Sequence, residues 1–265
     1  MINFSCWHYI DSLFANTITQ CFGAVINAWS NADNEYGTAE HAESFLGRME
    51  DLFLSRKSSN PREMLSVIAY NLVIDAWSRR SGKDTAERAD KILRRLLNNY
   101  QLTNNMFLRP DVISYTGVMK SYVNRPDGGE KALQILEEMN AQFGDGNVKA
   151  RPDAKALAVV IDACAKSGLM KDAEYILNGI DDSEKTFVLF NTIMSGYKSK
   201  GLGREAEAIL RRMIDLSEIA GWKRCSPDVV SYSLCIEAVS VVVNFLMINA
   251  CLCEYSNSNS ITVGQ

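Results

Sequence analysis

Six stretches of the chain repeat one pattern of apolar and polar positions. CFGAVINAWS, AYNLVIDAWS, SYTGVMKSYV, ALAVVIDACA, LFNTIMSGYK and SYSLCIEAVS align without gaps on a large residue at Phe22, Tyr70, Tyr115, Leu157, Phe190 and Tyr232. Four positions later stands an apolar residue (Ile26, Ile74, Met119, Ile161, Met194, Ile236), and two further on a small one (Ala28, Ala76, Ser121, Ala163, Gly196, Ala238). The next position is aromatic at Trp29, Trp77, Tyr122 and Tyr197, with Cys164 and Val239 as the exceptions. Spacings of four and seven bring the large, apolar and aromatic columns to one helical face, and the small column lets a neighbouring backbone approach.

A second helix follows each of the first five stretches, in a tighter pattern. Ala42, Ala89, Ala132, Ala173 and Ala206 are each followed after three and four residues by Phe-Leu or Ile-Leu, and after seven by Met49, Leu96, Met139, Ile180 or Met213. The unit is a helical hairpin recurring after 48, 45, 42, 33 and 42 residues, measured on the first column. Most of the excess over the ~34 residues usual for such hairpins falls after the second helix, in NNYQLTNNMF and IDLSEIAGWKRC, which either lengthen that helix or loop out. The repeats start near residues 19, 67, 112, 154, 187 and 229, the sixth incomplete, within an array at 17–240. Residues 241–265 form an unassigned tail, where VVVNFLMINACLC and a Ser/Asn stretch replace the second-helix pattern. A helical array needs a polar cap on its last unit, so the chain is expected to be a fragment, or a gene model reading past its true exon.

Tyr-Asn-x-x-Ile-x-x-Trp at Tyr70–Trp77, the Ala-x-x-x-Leu-x-x-Met second helix, and Arg-Pro-Asp or Ser-Pro-Asp before a new repeat (Arg109–Asp111, Arg151–Asp153, Ser226–Asp228) resemble the pentatricopeptide repeat (PPR) family over residues 17–240. The resemblance implies an all-α, right-handed α-solenoid that binds single-stranded RNA, one base per repeat. In that family the residue after the first-helix aromatic and the last residue before the next repeat choose the base together. Carried over residue by residue, Asn71 with Asp111 is the uracil-preferring pair, Thr116 with Asp153 the guanine pair, and Asn191 with Asp228 uracil again. Gly23 with Ser66 and Ala158 with Thr186 match no such combination. The stacking position holds Ile68, Ile113, Val188 and Val230, against Gln20 and Lys155 in the two illegible repeats. Taken in chain order, the implied footprint is U-G-x-U. The family further implies RNA processing, stabilisation or translation in mitochondrion or plastid, protein factors recruited to the RNA, no cofactor and no catalytic residue.

The same residues have a purely structural use. Ser66, Asp111, Asp153, Thr186 and Asp228 are good N-cap types, each immediately before a helix with unpaired N–H groups. Asn71, Thr116 and Asn191 are mediocre helix formers that a structural helix would replace with Ala. RNA binding also requires phosphate neutralisation. Arg79, Arg80, Lys166, Lys198 and Lys200 sit at first-helix C-termini, where they either meet phosphates or complement the helix dipole. Arg94, Arg95, Arg211 and Arg212 lie on second helices and are expected on a solvated outer face. A tetratricopeptide-like protein-binding scaffold is the alternative, although it does not call for Asn or Thr after the aromatic.

Composition changes this picture little. The 265 residues hold 28 Lys+Arg against 32 Asp+Glu, a net charge of −4, so nucleic-acid binding is a local property. Residues 48–110 carry twelve Lys/Arg against seven Asp/Glu, with no Lys or Arg before Arg48 or after Arg224. Seven cysteines without a CxxC pair read as reduced core thiols. Two distant histidines, His8 and His41, leave little material for a metal centre or a His-based triad. The zinc-deaminase signature is absent. The first 20 residues lack Lys and Arg and include Asp11, unlike a secretory or transit peptide. The apolar run Val239–Cys253 is shorter than the ~20 residues of a membrane span and is expected to be a buried helix, so no membrane partner is expected.

Overall fold

The computed structural model describes residues 20–30, 37–55, 65–82, 84–218 and 221–240. These are all-α, with no strand among the described residues. The tail at 241–265 and most of the Val239–Cys253 run lie outside them. In chain order the helices are α1 (20–30), α2 (Thr38–Ser55), α3 (Val67–Ser78), α4 (Thr85–Thr103), α5 (Val112–Tyr122), α6 (Gly128–Gly144), α7 (Ala154–Ser167), α8 (Met170–Gly179), α9 (Phe187–Ser199), α10 (Gly203–Glu218) and α11 (229–240). Odd-numbered helices carry the first pattern and even-numbered ones the second. No described helix is long and apolar enough to cross a membrane.

The chain divides into two compact units, residues 1–124 with 130–156, and residues 125–129 with 157–265. In the first, α3 packs on α2, α4 and α5. Its core is built from the repeat columns: Tyr70 and Ile74 of α3, Ala42 and Leu46 of α2, Ala89, Ile92 and Leu93 of α4, and Tyr115 and Met119 of α5 are buried. Burying each of the larger side chains contributes about 1.5–3 kcal/mol. A polar cluster closes this packing, with the Tyr70 hydroxyl donating to Glu50 Oε1 (2.7 Å) and accepting from Asn99 Nδ2 (2.8 Å). Burial beside Glu50 pushes the Tyr70 hydroxyl far above its usual pKa. Arg95 completes the cluster by pairing with Glu50, and Arg94 meets Glu138 of α6 at 2.6 Å. These two arginines therefore tie helices together rather than standing on a free outer face.

In the second unit, α9 packs on α8 and α10. Phe190, Ile193 and Met194 are buried, as are Ala173 and Leu177 of α8 and Ala206 and Met213 of α10. The small column does what its size predicts at Gly196, where a β-carbon would stand 2.6 Å from Ala165 Cβ. Arg212 reaches back from α10 to Asn178 Oδ1 (2.5 Å), and Arg211 pairs with Glu207 on its own helix. The columns end differently in α11. Tyr232 and Ile236, whose counterparts in α3, α5 and α9 are buried, are 48% and 68% exposed. Of the described cysteines, Cys164, Cys225 and Cys235 are buried free thiols, but Cys21 is exposed. Burial pushes the Cys164 thiol up to about 12.

The extra residues between repeats both lengthen helices and turn. α4 has 19 residues and α10 has 16, against 10 for α8 in the 33-residue repeat. Asn104 then stops α4 in the left-handed conformation at φ 49°. Short 3₁₀ turns at Met106–Leu108, Val148–Ala150, Asp182–Glu184 and Lys223–Cys225 lead into the next first helix. Asn147 anchors one of these by donating to the Pro110 carbonyl at 2.7 Å.

Candidate nucleic-acid interface

The candidate site grows out of the way each first helix starts. A residue before proline is driven to extended backbone, and Arg109 obeys at φ −67°, ψ 119°. The chain thus reaches Asp111 extended (φ −119°, ψ 178°), poised as an N-cap. Asp111 Oδ1 accepts from the Ser114 backbone N–H (3.0 Å), and the Asp111 N–H donates back to Ser114 Oγ (3.3 Å), a reciprocal capping box.

This cap reaches into the preceding repeat. Asn71 Nδ2 donates to Asp111 Oδ1 (3.0 Å), and the Ser114 hydroxyl lies 2.7 Å from Asn71 Oδ1 and 3.0 Å from Asp111 Oδ1. The second unit builds the same constellation from Asn191 and Ser231, forty residues apart. Asn191 Nδ2 donates to Asp228 Oδ1 (3.3 Å), the Ser231 hydroxyl lies 2.8 Å from Asn191 Oδ1, and the Ser231 N–H donates to Asp228 Oδ1 (2.8 Å). Hydrogen bonds from the Ser231 N–H and hydroxyl hold the Asp228 carboxyl below the usual carboxylate range. Ser114 and Ser231 are fully buried, while both asparagines and both aspartates are half-buried.

The arrangement leaves a defined edge. In each triad one carboxylate oxygen takes the protein donors, leaving Oδ2 and the second asparagine N–H without a described partner. A donor beside an acceptor complements a Watson–Crick edge, where every base sets a donor next to an acceptor. Exposed aliphatic residues stand near each triad in sequence: Ile68 and Ile113 by the first are 66% and 60% exposed, and Val188 and Val230 by the second are 47% and 54% exposed. Each is the second residue of its helix. An exposed aliphatic at four such positions is available for stacking against a flat ring.

The third pair is arranged differently. Thr116 is buried, and its hydroxyl donates to the Val112 carbonyl on its own helix (2.6 Å). Asp153 caps α7 by accepting from the Ala156 N–H (2.8 Å). No hydrogen bond joins the two residues, because Ala156 offers no hydroxyl and the Thr116 oxygen is already engaged. The N-cap expectation also divides: Asp111, Asp153 and Asp228 cap through their side chains, whereas Ser66 and Thr186 hold the N-cap position with no side-chain bond.

The candidate phosphate ligands do stand at first-helix ends, and each has a protein partner. Arg79 pairs with Asp75 (2.8 Å) and donates to the Ser30 carbonyl (2.7 Å), Arg80 pairs with Glu40, Lys166 with Asp162 (2.9 Å) and Lys198 with Glu237, and Lys200 donates to the Gly168 carbonyl (3.0 Å). Most of these pairs are substantially exposed, so each stabilises by only about 0–1 kcal/mol and exchanges easily for a phosphate. The residues that sequence reasoning missed are Ser114 and Ser231. Their signal was present as Asp-Val-Ile-Ser and Asp-Val-Val-Ser, an N-cap followed by a hydroxyl three residues later.

The PPR repeat family model matches residues 158–183 and 188–217, the hairpins α7–α8 and α9–α10. The chain carries PPR repeats. Its matched hairpins include the repeat whose Ala158 and Thr186 match no base pair in the family scheme, since the packing columns are what make a hairpin recognisable. No curated protein matches the chain significantly. PPR proteins are helical-repeat proteins, and the repeat columns described above are the part of that description this chain displays most completely.

Proposed function

We propose that this PPR chain binds single-stranded RNA, with Asn71–Asp111 and Asn191–Asp228 each selecting a uracil and Thr116–Asp153 selecting guanine. The observation carrying this reading is the duplicated polar edge, donor beside acceptor, with exposed aliphatic residues near it in sequence. A uracil offers O4 to the asparagine N–H and its N3–H to the free aspartate oxygen, and cytosine satisfies the same two groups less selectively. Ile68, Ile113, Val188 and Val230 stack on the bases, and Arg79, Arg80, Lys166, Lys198 and Lys200 release their protein partners to meet phosphates. The chain contributes binding and no catalytic step. Its setting is organellar, in mitochondrion or plastid, and its effect is on the processing, stability or translation of the bound transcript.

Filter binding of U-G-x-U oligonucleotides against U-U-x-U and A-G-x-U, at two salt concentrations, tests the proposal. Preference for U-G-x-U over A-G-x-U that disappears in the Asn71→Ala, Asn191→Ala double variant, with the preference over U-U-x-U retained, supports it. Equal binding of all sequences by the unmodified protein sinks the base assignments, and failure to bind at low salt sinks the RNA reading itself.

A further inference from the structure

We infer that Ser114 and Ser231 are positioning residues for base selection: each hydroxyl fixes the rotation of the asparagine amide in the preceding repeat. This rests on the RNA-binding reading above. An asparagine amide presents oxygen and nitrogen in nearly identical shapes, and only its surroundings decide which points where. At Asn71 the decision is made from two sides. Asp111 Oδ1, 3.0 Å from Nδ2, tolerates only a donor there, and the Ser114 hydroxyl, 2.7 Å from Oδ1, supplies the proton that an acceptor needs. A flipped amide would set its oxygen against the carboxylate oxygen. The hydroxyl proton has two candidate acceptors, and its shorter contact is to the asparagine. The second unit repeats the geometry with 2.8 Å from Ser231 Oγ to Asn191 Oδ1 and 2.9 Å to Asp228 Oδ1.

The distribution of the hydroxyl through the chain supports a role beyond capping. The third helical residue of the following repeat is Ser114 after Asn71 and Ser231 after Asn191, but Ala69 after Gly23, Ala156 after Thr116 and Leu189 after Ala158. Asp153 caps α7 through the Ala156 backbone without any hydroxyl, so the cap alone does not require one. Serine occurs where there is an amide to orient. Full burial of both serines keeps water from taking over the task.

Two experiments test this. In the RNA-free protein, side-chain amide NMR should show one Asn71 Nδ2 proton protected from exchange; Ser114→Ala and Ser114→Val should abolish that protection, while Ser114→Thr, isosteric with Val but retaining the hydroxyl, should keep it. Protection that survives in Ser114→Ala overturns the inference without involving RNA. The second experiment builds a triad where none exists. Thr116→Asn alone should give the third repeat a weak uracil preference, and adding Ala156→Ser should raise the U-U-x-U over U-G-x-U ratio about fivefold further, the worth of one net hydrogen bond. If Thr116→Asn already gives the full preference and Ala156→Ser adds nothing, the serine positions nothing. If Asn71→Ala in the unmodified background leaves base preference untouched, the base-reading proposal fails instead.

Discussion

Two tyrosines in the same column show how far a single hydroxyl depends on its neighbours. The Tyr70 hydroxyl is bonded to Glu50 and Asn99, whereas the buried Tyr115 hydroxyl has no hydrogen-bond partner among the described residues. Removing a paired hydroxyl strands its partners, and removing an unpaired one strands nothing. In urea unfolding, Tyr70→Phe should therefore cost about 1–3 kcal/mol, while Tyr115→Phe should stay within about 0.5 kcal/mol of the parent. The column identified both tyrosines as core residues from sequence, but the partners were illegible because Glu50 and Asn99 come from other helices. A second expectation concerns Asp228, whose depressed carboxyl favours the folded state above the unfolded pKa of about 3.9 and loses that contribution as pH falls through the lower folded value. A carboxyl-carbon NMR titration should place its midpoint below about 3.9, held there first by the Ser231 backbone N–H. A midpoint at or above about 3.9 would mean that the N–H does not bond the carboxylate.

Helices meet in this protein where side chains are smallest, and the sequence disclosed only some of those places. The small column predicted close approach, and Gly196 bears it out against Ala165. Gly117, outside that column, is as tight: a β-carbon there would lie 2.6 Å from Ile74 Cγ2, where α5 meets α3. At Gly203, at the start of α10, a β-carbon would lie 2.9 Å from Val239 Cα. Backbone cannot rotate away as a side chain can, so Gly203→Ala should loosen α11 from α10, and Gly117→Ala should cost about 1–3 kcal/mol by overpacking. Hydrogen exchange checks both, with the α11 amides losing protection in the first variant and α3 and α5 together in the second. Unchanged α11 protection in Gly203→Ala would show that the contact is not a close one. Periodicity located the hairpins because a packed helix needs an apolar stripe. Linker lengths stayed ambiguous in sequence because NNYQLTNNMF suits a helix until Asn104 turns left-handed, and an asparagine signals that weakly.

For the whole chain, a net charge of −4 coexists with cations that already have acidic or carbonyl neighbours. Charge counts along the sequence marked a basic middle at 48–110 but not that Arg79, Arg80, Arg94 and Arg95 from it meet Asp75, Glu40, Glu138 and Glu50. RNA affinity should consequently fall with salt at a modest slope, each phosphate contact contributing about −0.7 in log K against log salt. Replacing Arg79, Arg80 and Lys166 together should flatten that slope by up to about 2 and weaken all sequences alike. Loss of affinity for one base alone would contradict the phosphate assignment. The triads carry a different implication, for inheritance and engineering. Asn71 lies in one hairpin, and Asp111 and Ser114 belong to the entry turn of the next. The unit of recombination that conserves packing is therefore not the unit that conserves recognition. A duplication or graft cut cleanly between hairpins would carry an asparagine away from the serine that orients it, so repeat libraries for this chain should be joined within a first helix, after its serine position and before its asparagine position.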